Sequence, residues 1–276
     1  MASDDPVIIT VAPTGPLTTR ENHPGLPVTP SEIGEAVAEA AAAGAAVAHI
    51  HARDQDEQPT ADPEIYAEIA REIRSRCDIV VQASTGVGLA VSCEDRLKII
   101  ASDQVEVTMA TLNPASMTFG QGTFSNPPWF VEQLAQVMRD RGIQPELEVY
   151  DFGHVPLCLE LVKRGLVQGP LQFSFVMGVR GGVPGDPALL PVLVSMLPED
   201  AIWQAIGIGR AQLPLSFAAL AQGGNLRVGY EDNVYFRKGE LAQSNAQFVT
   251  RAVELVRTAG REVATAAYVR ERLRVR

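Results

Sequence analysis

Residues 29–54 read TPSEIGEAVAEAAAAGAAVAHIHARD. Thr29 followed by Pro30 is a helix start, a side-chain cap and then a residue whose missing N–H costs nothing in the first turn. The amphipathic stretch 31–44 ends on Gly44, a helix stop. The run AAVAHIHA (45–52) follows at once, too short and too uniformly apolar for a second helix, and it reads as a buried strand. A helix that delivers the chain straight into a buried strand is the repeating element of a parallel sheet covered by helices.

The same alternation extends in both directions. Strand-like runs occupy 7–13, 45–52, 79–85, 105–111, 146–151, 171–177, 201–209 and 226–232. Helix-like stretches occupy 31–44, 62–76, 127–142, 153–165 and 244–260, with weaker helical patterns at 93–101, 187–196 and 212–222. Eight strand–helix pairs predict a (β/α)8 TIM barrel, a single domain over 1–276 with a C-terminal tail helix near 262–274. A doubly wound open sheet is the alternative fold.

Composition narrows the function. The chain is 46% hydrophobic and carries a net charge of −10, which argues against nucleic acid as the main partner. The start MASDDPVIIT has no basic leader segment, and no apolar run approaches the roughly 18 residues of a membrane span. The three cysteines, Cys77, Cys93 and Cys158, are odd in number and widely spaced, so a cytoplasmic protein with reduced thiols is expected.

Barrel enzymes work at the carboxyl ends of their strands. The polar residues expected there are Thr14, His49, His51, Arg53, Asp54, Ser84, Thr85, Thr111, Asn113, Glu148, Asp151, Arg180, Arg210, Arg227, Glu231 and Asp232. His49 and His51 are two of only four histidines. Two residues apart on a strand, they face the same side and can share one ion. An HxH pair alone also fits two hydrogen-bonded core histidines. The third ligand must come from another strand end, and Glu231 in GYEDN (229–233) is the best placed, because strands eight and two flank strand one in a closed barrel. Glu231 and Asp232 are consecutive, so both reach the lumen only if the strand breaks there. His23 and His154 read as structural or exposed. The turn GIGRAQ (207–212), with Gly207, Gly209 and Arg210, and the loop GVRGGVPGD (178–186), with Arg180, are candidate phosphate contacts.

Several segments together resemble the β-keto acid cleavage enzymes, whose founding activity is 3-keto-5-aminohexanoate cleavage. They are IITVAPTG (8–15), LPVTPSEI (26–33), AGAAVAHIHARD (43–54), QASTG (82–86), MATLNPASMTFG (109–120), PELEVYDFG (145–153), GIGR (207–210) and RVGYEDNVYFRKGELAQSNAQ (227–247). The resemblance implies a (β/α)8 barrel, a divalent zinc, acetyl-CoA as co-substrate and a homotetramer. It implies that His49, His51 and Glu231 hold the zinc, that Asp232 and Arg227 form the base unit, and that Ser84, Thr111 and Glu148 line the substrate site. Thr14, Asn113, Arg180, Arg210, Gly207 and Gly209 are the remaining candidate substrate or CoA contacts.

The implied reaction converts a β-keto acid and acetyl-CoA to an acyl-CoA and acetoacetate. Asp232 would take the C2 proton, Arg227 would orient it, and the hydroxyls of Ser84 and Thr111 would serve the tetrahedral oxyanion. One departure stands out. Where aminohexanoate-cleaving members carry an acid after the first TG, TGPLTTR (14–20) has Leu17, so an uncharged β-keto acid is expected. A zinc-dependent aldolase or lyase that needs no CoA, and a barrel that binds metal or ligand without catalysis, remain open.

Overall fold

The computed structural model describes residues 5–275. Positions 1–4, part of the stretch MASDDPVIIT, lie outside the described residues. The parallel strands β1 (Ile9–Val11), β2 (Val47–Ile50), β3 (Val80–Ala83), β4 (Met109–Leu112), β5 (Gln144–Val149), β6 (Gln172–Met177), β7 (Ile202–Gly207) and β8 (Asn225–Val228) form a closed barrel. Each pairs with its neighbour in sequence, and β8 returns to β1. Closure through β1 removes the open-sheet alternative.

The helices α1 (Pro30–Ala43), α2 (Pro63–Arg76), α3 (Cys93–Ala101), α4 (Pro128–Arg141), α5 (His154–Lys163), α6 (Leu190–Ser195), α7 (Gln212–Ala221) and α8 (Asn245–Thr258) follow the strands in turn. α1 shows why the opening stretch folds as it does. Thr29 Oγ1 accepts from Glu32 N–H at 3.2 Å, and the Glu32 carboxylate accepts from Thr29 N–H at 3.0 Å. This reciprocal cap satisfies two otherwise unpaired amides. Gly44, at φ 121°, then turns the chain out of the helix. Ile33, Val37 and Ala40 are buried in the main core between the helix ring and the strands.

The lumen is layered, because side chains alternate across each strand. At the amino-terminal end Ile8, Val47, Val80, Met109 and Ile202 form an apolar plug. The tail helix α9 (Ala266–Leu273) closes that end, burying Val269 and Leu273 against the plug. Above it lies a buried polar layer of Thr10, Gln82, Glu146, Gln172, Ser174 and Gln204. The carboxyl end, left open by α9, carries the cavity described below.

Two strands differ from expectation. The alternation in 105–111 predicts a strand from Val105, yet Val105 and Val107 pack as a turn in the core and β4 starts at Met109. The eighth strand ends at Val228, before the expected 232. Gly229 adopts φ 138°, and its carbonyl accepts from the amides of Asp232 and Asn233, so the chain leaves the sheet as a turn. This is the expected break. Three short antiparallel ribbons, Ala52–Arg53 with Pro59–Thr60, Met117–Phe119 with Gly122–Phe124, and Tyr235–Arg237 with Glu240–Leu241, interrupt the stretches between strands and helices.

Candidate active site

A cavity of about 400 Å³ opens at the carboxyl ends of the strands. Its floor is made by His49, His51, Ser84, Glu148, Arg227, Glu231 and Asp232. Leu17, Leu89, Phe119, Phe124, Tyr150, Val176, Val179 and Ile208 build its apolar walls, and Arg180 stands on its exposed rim.

His49 sits on β2 and His51 just beyond it, both nearly fully buried. Their Nε2 atoms are 3.2 Å apart. The turn at Gly229 brings in Glu231, with Oε2 at 3.6 Å from His49 Nε2 and Oε1 at 3.5 Å from His51 Nε2. One ligand atom from each of the three residues lies within 4.8 Å of the others. Glu231 Oε2 is buried without a hydrogen-bond partner. Two imidazoles and a carboxylate that converge on one point, with one oxygen left unsatisfied, are a donor set suited to a divalent cation such as zinc.

Arg227 projects from β8 beneath this cluster. Its Nε and Nη2 grip the Asp232 carboxylate at 2.9 and 3.0 Å, a two-pronged pair. Nη2 also donates to Glu231, and Nη1 lies 3.5 Å from Glu148 Oε1. Three carboxylates therefore surround one guanidinium, and the excess negative charge favours a cation nearby. Burial pushes the Glu148 carboxyl up to about 7 against the pull of Arg227 and His49. Burial likewise raises Asp232 to about 6, again opposed by Arg227. Burial works against ionised Glu231 too, but Arg227, His51 and His49 together hold it well below the usual carboxylate range. A cation bound in the cluster would add its own field to all three.

Ser84 follows β3 and lines the cavity, its hydroxyl oxygen accepting from Gly86 N–H at 3.1 Å. The Tyr150 hydroxyl donates to Glu148 Oε2 at 3.4 Å. Gly209 N–H donates to the Asp232 carbonyl at 2.7 Å, so the loop after β7 fastens the Asp232 backbone.

Other candidates sit outside the lining. Thr111 is fully buried on β4, where its Oγ1 accepts from Thr85 N–H at 3.1 Å and its carbonyl accepts from Thr85 Oγ1 at 2.8 Å. Thr14 donates to the Pro27 carbonyl at 2.6 Å. Asn113 is buried just past β4, with neither amide atom hydrogen-bonded. Gly207 packs against Ala211 and Gln212, and Arg210 is exposed in the turn just before α7. Arg53 clamps the carbonyls of Gly15 and Thr18 at 2.6 Å each. Asp54 accepts from Asp56 and Gln58 N–H, and Asp151 from Gly153 N–H, so both build turns. His23 contacts the Ala242 carbonyl and His154 the Tyr150 amide, as structural residues do. The cysteines are free thiols.

The sequence reading did not single out Gln82, Tyr150, Leu89, Phe119 or Phe124. Gln82 and Tyr150 were detectable, because each lies two residues along a strand from a chosen inward residue, Ser84 and Glu148 respectively. Phe119 and Phe124 carry no such signal, since they reach the cavity from a ribbon outside the barrel sheet.

A family model described as beta-keto acid cleavage enzyme matches residues 6–275. The chain is 36% identical over 261 residues to a 3-keto-5-aminohexanoate cleavage enzyme of Fusobacterium nucleatum subsp. nucleatum, covering 94% of each protein. It is 36% identical over 269 residues to a 3-oxoadipate:acetyl-CoA acetyltransferase of Cupriavidus necator, covering 96% of this chain and 93% of the relative. Among solved structures, apo ObcA superposes with a TM-score of 0.81 at 22% identity, over 91% of this chain and 66% of that one, a likeness of fold.

Proposed function

Since the chain belongs to the β-keto acid cleavage enzyme family, we propose that it is a zinc-dependent acyltransferase converting a β-keto acid and acetyl-CoA to an acyl-CoA and acetoacetate. The observation that carries this reading is the Arg227–Asp232 pair, held at 2.9 and 3.0 Å in the same cavity as the His49, His51 and Glu231 donors. Zinc held by those three side chains would supply Lewis-acid stabilisation of the enolate charge.

The protein's own groups account for the proton and for orientation. Asp232, raised by burial and oriented by Arg227, takes the C2 proton. The C2 carbanion attacks the acetyl thioester carbonyl, forming a C–C bond, and the Ser84 O–H donates to the resulting oxyanion. Collapse expels CoA thiolate. The thiolate adds to the C3 carbonyl of the original acid, the C2–C3 bond breaks, and acyl-CoA departs. Asp232 returns its proton to C2, and acetoacetate leaves. Glu148 braces Arg227 and receives the Tyr150 hydroxyl. Thr111 holds the segment that carries Ser84, through Thr85, so Ser84 is assigned the oxyanion contact.

The apolar walls suit an uncharged chain beyond C3. Leu17, 56% exposed at the mouth, offers an ammonium no counter-charge. Arg180 on the rim is positioned for CoA phosphate, with Arg210 as a further candidate. Free thiols accord with a cytoplasmic enzyme, and a homotetramer is the assembly that family membership suggests. Among the described residues no helix is long and apolar enough to cross a membrane.

The test is a panel of β-keto acids incubated with and without acetyl-CoA, scored for acyl-CoA and acetoacetate. Turnover that needs acetyl-CoA is expected. Cleavage without it favours an aldolase or lyase, and no turnover of any acid with both zinc and acetyl-CoA supplied favours a barrel that binds without catalysis. Preference for 5-amino-3-oxohexanoate over an uncharged analogue would overturn the substrate assignment.

A further inference from the structure

Beneath the cavity floor lies a polar layer that the reaction above does not use. Thr10, Gln82, Glu146, Gln172, Ser174 and Gln204 are each 3% exposed or less. Barrels of this kind fill that space with branched aliphatic side chains. A carboxylate and three primary amides buried there are costly unless they satisfy one another.

They do so largely around one atom, although Glu146 Oε1 and Gln172 Oε1 find no partner among the described residues. Glu146 Oε2 accepts from the amide nitrogens of Gln82 at 2.8 Å, Gln172 at 2.8 Å and Gln204 at 3.1 Å. The Gln204 nitrogen also reaches Ser174 Oγ at 2.9 Å, and its carbonyl accepts from the Thr10 hydroxyl at 3.1 Å. An oxygen approached by three amide nitrogens is the acceptor of all three. Each glutamine must therefore turn its NH2 toward Glu146 and its carbonyl away. For Gln82, away is toward His49, whose Nδ1 lies 2.7 Å from Oε1. An amide carbonyl cannot donate, so in the neutral ring Nδ1 carries the hydrogen and Nε2 keeps its lone pair. Nε2 is the atom that faces His51 and Glu231.

We propose that Glu146, acting through Gln82, fixes the tautomer of His49 and so presents a bare Nε2 to the metal. Neither residue lines the cavity, and both are positioning residues. The inference rests on the metal reading above for its consequence but not for its geometry. Without the relay, neutral His49 can place its hydrogen on Nε2, pointing an N–H where a ligand lone pair is required. Loss of such outer contacts weakens metal binding by about 10–100-fold.

The experiment uses full-length protein stripped of metal by a chelator and read in two ways. Ring nitrogen chemical shifts of the four histidines, by 15N NMR, report the tautomer directly. Competition with a chromophoric chelator reports the zinc Kd. Wild type should show His49 as the Nδ1–H form. Gln82→Leu should lose that preference and bind zinc about 10–100-fold more weakly. Glu146→Leu should behave like Gln82→Leu without touching His49. Glu146→Gln, which keeps one acceptor oxygen for the three amides, should restore the Nδ1–H form. Gln82→Leu decides the matter alone if Glu146→Leu fails to fold. An unchanged His49 tautomer and zinc Kd in Gln82→Leu overturn the proposal. A wild type that binds no zinc overturns the metal reading instead, while the ring signals still judge the relay.

Discussion

Gly229→Ala tests how the end of β8 builds the site. The glycine sits at φ 138°, where an alanine is strained by roughly 1–3 kcal/mol. A Cβ there would lie 2.3 Å from the Ala12 carbonyl oxygen and 2.8 Å from its carbon. Ordinary contact needs about 3.5 Å, so one backbone must retreat by roughly 1 Å. That retreat strains two hydrogen bonds, Ala12 N–H to Val228 O at 2.9 Å and Glu231 N–H to Ala12 O at 3.1 Å. A total near 2–4 kcal/mol, at about 2–4 °C per kcal/mol for a chain of this size, lowers Tm by roughly 4–16 °C. The functional loss should exceed what unfolding explains, because Glu231 and Asp232 ride on the displaced turn. A misplacement of about 1 Å costs on the order of 100-fold in rate. Thermal melts followed by circular dichroism, with kcat/KM measured well below the new Tm, separate the two effects. Wild-type Tm and wild-type kcat/KM together would refute the argument that this turn places both carboxylates.

Asp232→Asn should lower kcat by about 10²–10⁴-fold while bound zinc, measured by elemental analysis, stays at the wild-type level. Full turnover would remove Asp232 as the base. Chelator treatment should abolish acetoacetate formation and zinc should restore it, with Tm higher by about 2.7 kcal/mol worth of stability at a zinc concentration 100 times Kd. Activity that survives chelation contradicts the metal assignment. Thr29→Ala should cost about 1 kcal/mol, read as a lower urea midpoint, because it removes the cap of α1. The partner in that cap sets a pH dependence. Burial pushes the Glu32 carboxyl up, but the amides of Thr29 and Val28 and the Arg20 guanidinium outweigh it and hold the group at about 2. An unfolded glutamate titrates near 4.3, so the stabilisation is complete above that pH and fades as pH falls toward 2. The gap in urea midpoint between wild type and Glu32→Gln should narrow over that window, and a gap independent of pH would contradict it.

The barrel was legible because each element announces itself locally. Thr29, Pro30 and Gly44 bound α1, and the apolar run behind them has nowhere to go but into a sheet. The convergence of His49 and His51 was legible for a related reason, since they share a face by strand periodicity alone. The failures have physical causes. Val105 and Val107 alternate as a strand does, yet their backbone turns while their side chains fill the core. Thr111 faces inward as expected, but it lies in a layer below the cavity, a depth that periodicity does not encode. Periodicity gives the direction of Gln82 and Glu146, each two residues before a chosen inward residue, but a hub of buried amides emerges only when β3, β5, β6 and β7 are brought together.

The three ribbons above the barrel mouth pair within themselves and not with the barrel strands. Met117–Phe124 supplies Phe119 and Phe124 to the cavity wall, while Asp232, Arg227, Ser84 and the proposed metal donors all lie outside that ribbon. Natural variation or directed evolution can therefore retune which acids are admitted by exchanging a detachable parapet, with the chemistry below inherited intact.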